Sequence, residues 1–344
     1  MSLEPQDITI AVTVYNRRDY LRQSIASALE QSIPVRVIVV EDCGPDPGIQ
    51  GYVHELFGDR VQYFRSSRRR GIFGNWNACI EQCQTPWLSI LHDDDWLQPG
   101  FVQAMIELEA HAGTKGLYFG RTTVVDSKGH PCPHWEKPHL SQPWVPVSLG
   151  DVLFLSPFSF PGQLFQVQRA KQQGCFRETS QFTGEWELWA KLIAYYGGAQ
   201  TDTPVAVFRD HRGQDRGTTR IYQRGKTFGL TAVQCKRNVS LAKKIGFLPP
   251  SSPRYLGLSR PPVPTMYMLY YAKHFSRLYL AYNTRRFTRC PPPNWRYGVV
   301  QWTFRLGGPR FVRLASKLWT AISGDHGFTP EYVAPPPWSG GNPP

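Results

Sequence analysis

A chain of 344 residues, 41% of them hydrophobic, is long enough for one large domain or two and rich enough to bury a proper core. Its seven cysteines, an odd number with no Cys-x-x-Cys pair, argue against a disulfide framework or a zinc site and suit a reducing compartment. The net charge of +13 is unevenly spread: residues 205–320 hold 22 of the 39 Lys and Arg but only two acids, Asp210 and Asp215, which marks the last third as a surface for phosphates, nucleic acid or anionic lipid. The polar, acidic start Met1–Asp7 does not read as a signal peptide, and no apolar run reaches the ~18 residues of a membrane span. A cytoplasmic protein is expected, peripheral at the inner face of the plasma membrane.

Ile8–Val14 is β-branched and apolar, which predicts a buried first strand. After the polar Tyr15–Arg18 loop, Asp19 is placed to cap a helix whose Leu21, Ile25, Ala28 and Leu29 recur at helical spacing. Val35–Val40 predicts a second strand ending on Glu41 and Asp42. Val61–Phe64 predicts a third, before the basic loop Arg65–Arg70. A helix from Gly71 to about Gln82 and a strand at Trp87–Leu91 follow. Strands and helices alternating at this spacing make βαβ units and a mostly parallel, Rossmann-like sheet.

The polar residues then fall into a pattern. Tyr15, Asn16 and Arg17 follow strand one, Glu41 and Asp42 follow strand two, and Asp93, Asp94 and Asp95 follow the fourth. Parallel strands bring such sets to one sheet edge, where α/β proteins bind ligands. Three adjacent carboxylates repel one another and call for a cation, and hard oxygen ligands suit Mg²⁺ or Mn²⁺. The plainer alternative is an acidic turn in which Asp95 caps the next helix. The absence of a Gly-x-Gly-x-x-Gly after strand one and of a Gly-Lys-Ser/Thr loop speaks against a dinucleotide dehydrogenase and a P-loop NTPase.

Further along, Phe101–His111 predicts a helix, Tyr118–Val125 a strand and Asp126–Gly129 a turn. Residues 131–146 read as an irregular loop, either a lid or a surface excursion. A strand over Phe158–Val167, a helix from Thr183 to about Tyr196 and a short strand at Val205–Phe208 complete the series, before Arg209-Asp210-His211.

In this order, the segments Val14-Tyr-Asn-Arg17, Val40-Glu-Asp-Cys-Gly-Pro-Asp46, Arg70-Gly-Ile-Phe-Gly-Asn-Trp-Asn77, Leu91-His-Asp-Asp-Asp-Trp-Leu-Gln-Pro-Gly100, Gly184-Glu-Trp-Glu-Leu-Trp189 and Arg209-Asp-His211 resemble glycosyltransferase family 2, the inverting enzymes of the GT-A fold. The resemblance covers roughly residues 7–215. It implies a GT-A domain over 1–215, with a nucleotide-binding half at about 7–115 and an acceptor half at about 116–215. It also implies a nucleotide-sugar donor, most often a UDP-sugar, a glycan or lipid-linked acceptor, and a divalent metal cofactor, Mg²⁺ or Mn²⁺.

Carried over by position, Thr13 and Tyr15 would line the base, Arg17 would lie near the phosphates and Asp42 would hydrogen-bond the base. Arg70, Asn77 and Trp186 would contact nucleotide or sugar. Asp94 would be the principal metal ligand, with Asp93 beside it and Asp95 and His211 completing the metal site. Glu185 would be the general base.

This sequence departs from the family twice. His92 stands where the first aspartate of the metal element is common, and Gly184-Glu185 replaces the usual Glu-Asp pair, so the base is one methylene longer. Plainer roles stand beside these: Asp42 as a turn cap, Glu185 as a first-turn carboxylate (a role that Glu187 fits better), His211 as a structural hydrogen bonder, and Arg68–Arg70 as a solvated run.

Residues 216–330 lie outside the resemblance and read as a basic, mainly helical region. Thr218–Lys244 is expected to pack through Phe228, Leu230, Val233 and Leu241. Pro249–Pro264 makes a broken linker. In 266–282 and 295–322, aromatics interleave with Arg and Lys, which suits either a membrane interface or amphipathic helices on the catalytic domain. The 331–344 tail is Pro/Gly-rich and expected to be disordered. Two rivals to the transferase remain: a nucleic-acid binder using the basic region, for which the family resemblance leaves little room, and a family member that binds without turnover.

Overall fold

A computed structural model describes residues 2–132, 139–152, 156, 158–180, 183–211 and 227–247. The linker at 249–264, the aromatic-basic segments 266–282 and 295–322, the tail and the middle of the 131–146 loop lie outside the described residues. Strand β1 (Ile8–Val14) is buried at all seven positions. It has no polar face because helices cover a parallel sheet on both sides. It lies between β2 (Arg36–Glu41) and β4 (Trp87–His92), and β3 (Gln62–Arg65) extends β2, all four parallel in the order β3-β2-β1-β4. The register pairs Val14 with Glu41, Thr13 with His92 and Glu41 with Arg65, so β1, β2 and β4 finish level at one edge.

Three helices make the crossovers. Helix α1 (Leu21–Leu29) buries Leu21, Ser24, Ile25 and Ala28. Its N-cap is Tyr20, with no side-chain cap, so the capping role expected of Asp19 is not realised. Helix α2 (Ile49–Phe57) was not anticipated: it buries only Ile49 and Val53, too little periodicity to stand out. Helix α3 (Gly71–Gln82) lies as predicted.

Beyond β4 the sheet becomes mixed. A two-residue strand β5 (Trp96–Leu97) precedes helix α4 (Phe101–Ala112), so Asp95 does not cap that helix. Strand β6 (Leu117–Asp126), the edge strand β7 (Trp144–Val147), β8 (Gln163–Gln166) and β9 (Gly198–Asp210) continue the order as β4-β8-β6-β9-β5, with β7 on β9. Strand β8 is antiparallel to β4 and β6, while β9 runs parallel to β6 and antiparallel to β5 and β7. Strand β8 covers only the second half of the predicted Phe158–Val167 strand, helix α5 (Val167–Gln172) follows it directly, and α6 (Gly184–Tyr196) packs Trp189 against Phe119 and Phe165 of the sheet and against Phe176.

The chain divides into two compact units. The first holds 1–214, 233–247 and 336–344; of the second, 215–232 and 248–335, only Thr227–Ala232 is described. Those residues open helix α7 (Thr227–Lys244), whose later turns belong to the first unit. There Asn238 Nδ2 donates to Val152 O at 2.9 Å and Arg237 reaches Glu187 at 3.1 Å. Val233, expected to pack inward, is instead 45% exposed.

Candidate active site at the carboxyl edge of the sheet

The turn after β4 carries the carboxylates, and residues from two other loops seize them. Arg17, just past β1, sets Nη1 2.5 Å from Asp94 Oδ2 and Nη2 3.0 Å from Asp93 Oδ1. His211, just past β9, places Nε2 3.1 Å from the same Asp94 oxygen. Arg209 N donates to Asp95 Oδ1 at 2.9 Å, and Arg209 Nε to the Asp94 carbonyl at 3.1 Å. Its guanidinium lies over the rings of Tyr20 and Trp96, 4.2 and 4.9 Å from their centroids. Sequence reasoning quoted Arg209 but gave it no role. Only its place beside His211 could have suggested one.

Crowded burial divides the three acids. Burial pushes Asp93 up to about 7 although Arg17 pulls it down. Burial opposes ionisation of Asp94 as well, yet the His211 hydrogen bond and the Arg17 charge hold it far below the usual carboxylate range. Asp95 is raised by burial. His92 is half-buried, and desolvation disfavours its cation, but contact with Asp95 and the charges of Asp94 and Asp93 prevail and raise it. Asp94 is thus the carboxylate whose charge the surroundings favour, while burial works against the charge on Asp93 and Asp95.

The donor set fits a divalent cation. His92, Asp94 and Asp95 present ligand atoms all within 4.8 Å of one another. Asp95 Oδ2 is buried without a hydrogen-bond partner, which a cation would supply. Of the residues expected at the metal, Asp94 and Asp95 are in this group together with His92, and His211 stands beside it with Nε2 3.1 Å from Asp94 Oδ2.

The neighbouring loop belongs to β2. Glu41 is wholly buried and accepts from Tyr63, Arg65 and Gly44 N, so it ties β2 to β3 and to its own turn. Asp42 accepts from Arg70 N at 2.5 Å and Gly71 N at 2.9 Å, which closes the start of α3; burial raises its pKa. The capping role weighed for Asp42 is therefore present, with lone pairs left for a ligand. Gly44 brings this loop against the one after β1: a Cβ there would stand 1.6 Å from the Tyr15 carbonyl oxygen. Tyr15 in turn lies under the Arg69 guanidinium, 4.5 Å from the ring centroid. Thr13 Oγ1 donates to Leu91 O at 3.4 Å, between the ends of β1 and β4.

Three residues expected at the substrate have other partners here. The Arg70 guanidinium pairs with Glu81 in two bonds of 2.8 Å and reaches Glu178 at 3.3 Å. Asn77 clamps the Phe176 main chain, donating to its carbonyl and accepting from its N–H, both at 2.9 Å. Trp186 donates its indole N–H to Val152 O and is buried.

Glu185 lies in the first turn of α6, partly buried. Burial raises its carboxyl to about 7, against the downward pull of its own backbone N–H and of His92. Glu187, one turn face away, is held by Arg177 at 2.6 Å, Lys191 at 3.2 Å and Arg237 at 3.1 Å, and these cations lower it against burial. The two glutamates thus separate into one with a proton-transfer environment and one that joins elements. The structure also explains the glycine before Glu185: a Cβ on Gly184 would stand 2.4 Å from the Phe73 ring.

Comparison with known proteins bears on the family and the fold. Residues 9–159 match the family described as "Glycosyl transferase family 2". The succinoglycan biosynthesis protein ExoO of Rhizobium meliloti is 34% identical over 213 residues, covering 60% of this chain and 60% of that protein. An uncharacterized glycosyltransferase of Rickettsia conorii is 25% identical over 189 residues, 54% of this chain and 31% of that protein. The chain thus spans well under two thirds of the length of these relatives. Among solved structures, S. aureus TarS 1–349 in complex with UDP-GlcNAc superposes with a TM-score of 0.57 at 12% identity, over 93% of this chain and 92% of that one. The same protein in complex with UDP gives 0.55 at 15% identity, over the same shares. These likenesses establish the GT-A fold.

Proposed function

The chain carries a glycosyl transferase family 2 domain, and from that premise we propose an inverting transferase that moves a sugar from a nucleotide-sugar to a hydroxyl acceptor during polysaccharide synthesis. The observation that carries this reading is the convergence on the carboxylate turn after β4 of Arg17 from the loop after β1 and His211 from the end of β9, with the β2 loop packed against Tyr15 and a raised, partly buried Glu185 on α6. A UDP-sugar is favoured because the TarS structures of the same fold hold UDP and UDP-GlcNAc. The succinoglycan relative supports a glycan or lipid-linked glycan as acceptor.

The residues divide the work by position. Tyr15, Asp42 and Thr13 border the place of the base. Asp94, Asp95 and His92 would hold a divalent ion, which supplies charge neutralisation for the departing diphosphate. Arg17 and His211 fix Asp94 in place from two sides. Glu185 takes the proton of the acceptor hydroxyl as that oxygen attacks the anomeric carbon from the face opposite the leaving group. A single base suffices for inversion. Glycoside hydrolysis would need two carboxylates flanking the bond, and the aspartates here are held by Arg17, His211 and Arg209.

The test is a panel of nucleotide-sugars offered with Mn²⁺ or Mg²⁺ and scored for donor hydrolysis and thermal shift. One donor should be hydrolysed slowly and raise the melting temperature. Asp94→Ala should weaken its binding on the order of 100-fold. A panel that neither binds nor hydrolyses would remove the transferase reading.

A further inference from the structure

The cation cluster differs from an all-oxygen site in one respect. His92, the last residue of β4, is held beside it by ring packing. The ring of Phe160 stacks on His92 with centroids 4.4 Å apart and planes 8° apart, and on Trp76 at 4.1 Å and 23°. Trp76 comes from α3 and lies 5.4 Å from the imidazole at 16°. Two aromatic side chains from separate elements thus fix the plane of the imidazole. Its Nδ1 stands 3.4 Å from Asp95 Oδ2, while Nε2 is buried and has no partner among the described residues. Two ligand atoms each about 2.1 Å from one ion, at right angles to each other, are about 3 Å apart. The Nδ1 to Oδ2 spacing is near that value, and Asp95 Oδ2 is itself a buried oxygen without a hydrogen bond. Asp95, 1% exposed, cannot turn to water for that partner. Asp93 pairs with Arg17 at 3.0 Å and is not among the three residues whose ligand atoms converge.

We propose that His92 binds the divalent ion through a ring nitrogen, giving a mixed nitrogen–oxygen centre of His92, Asp94 and Asp95 that favours Mn²⁺ or a later first-row metal over Mg²⁺. This rests on the transferase reading and deepens it. The chemistry is direct: imidazole suits first-row metals such as Fe²⁺, Ni²⁺ and Zn²⁺, with Mn²⁺ at the weak end of that series, whereas Mg²⁺ keeps to carboxylates, phosphates and water. Replacing one carboxylate by imidazole also removes one negative charge from the ligand set, which lowers the attraction for a small hard cation most.

The test uses the full chain without a histidine tag, loaded with Mn²⁺ alone. Pulsed electron paramagnetic resonance should show nitrogen coupling to Mn²⁺ in the wild type. The coupling should persist in His211→Gln, which removes the other imidazole near Asp94, and vanish in His92→Gln. In His92→Asp, the Mn²⁺ over Mg²⁺ affinity ratio should fall by about tenfold. A nitrogen-free Mn²⁺ spectrum in the wild type, or coupling that follows His211 instead of His92, overturns the assignment. So does an unchanged affinity ratio in a His92→Asp protein that melts cooperatively. If the wild type hydrolyses a donor while its Mn²⁺ spectrum lacks nitrogen, only the ligand assignment fails. If no donor binds with any metal, the transferase reading fails as well.

Discussion

At the scale of single residues, environment separates side chains of the same type. Glu185 and Glu187 are two positions apart on α6, yet burial raises the first to about 7 while three cations lower the second. A base must be ionised to accept a proton, so kcat/KM should rise with pH through about 7 and level off above it. Glu185→Gln should abolish transfer and leave donor binding intact; persistence of transfer at more than a few per cent would mean the base is another group. Stability has the opposite slope. The folded pKa lies above the ordinary value of 4.5, so the folded protein holds an extra proton between about 4.5 and 7 and loses stability as pH rises through that window. Glu185→Gln should therefore melt higher than the wild type above pH 7, by on the order of 1–3 kcal/mol, and equally below pH 4. The aspartate run was legible because acidic residues at a strand end follow fixed rules, whereas Glu185 was singled out only through the family resemblance. The placement of His92 and the Arg209 clamp were not legible, since each rests on contacts with elements far away in sequence.

Secondary elements were readable in proportion to how far local pattern alone decides them. Strands β1, β2 and β4 are apolar runs buried along nearly all their length, and α3 and α6 carry long buried faces, so their positions follow from composition. The first part of β9 escaped notice because Thr201-Asp202-Thr203-Pro204 is polar and contains a proline, which demotes a strand by local rules. It forms because β6 and β7 lie on either side to receive it. Helix α6 shows the reverse dependence, in which a neighbour dictates one residue of the element. Gly184→Ala pushes a methyl against Phe73 of α3 and should cost about 1–3 kcal/mol in chemical denaturation, with Phe73→Leu in the same chain recovering part of the loss. Equal losses with and without Phe73→Leu would assign the cost to the glycine backbone instead.

For the molecule as a whole, the order of motifs carried the fold, and this was correctly read from sequence because the motifs sit either at strand ends or in the opening turns of α3 and α6. The architecture beyond β4 was less legible: a turn from parallel to mixed pairing depends on which distant strand arrives first, and hydropathy does not encode that. Among the described residues no helix is long and apolar enough to cross a membrane. The charge is nonetheless lopsided, with 22 Lys and Arg against two acids in residues 205–320. The full chain should sediment with vesicles containing phosphatidylglycerol and not with neutral ones. Raising salt from 0.1 to 0.5 M should release it, because surface attraction decays within a Debye length of about 10 Å or less. Binding that ignores both lipid charge and salt would show that the basic surface has a different partner.

The clamp of Arg209 on Asp94 and Asp95 joins positions 114 and 115 residues apart. An excised fragment ending at residue 159, where the family match stops, would leave behind this main-chain anchor, the imidazole of His211 and Glu185 itself. The smallest piece able to keep the aspartate turn in shape has to run through residue 211. A protein split anywhere before that point should recover donor binding only when its two halves are mixed.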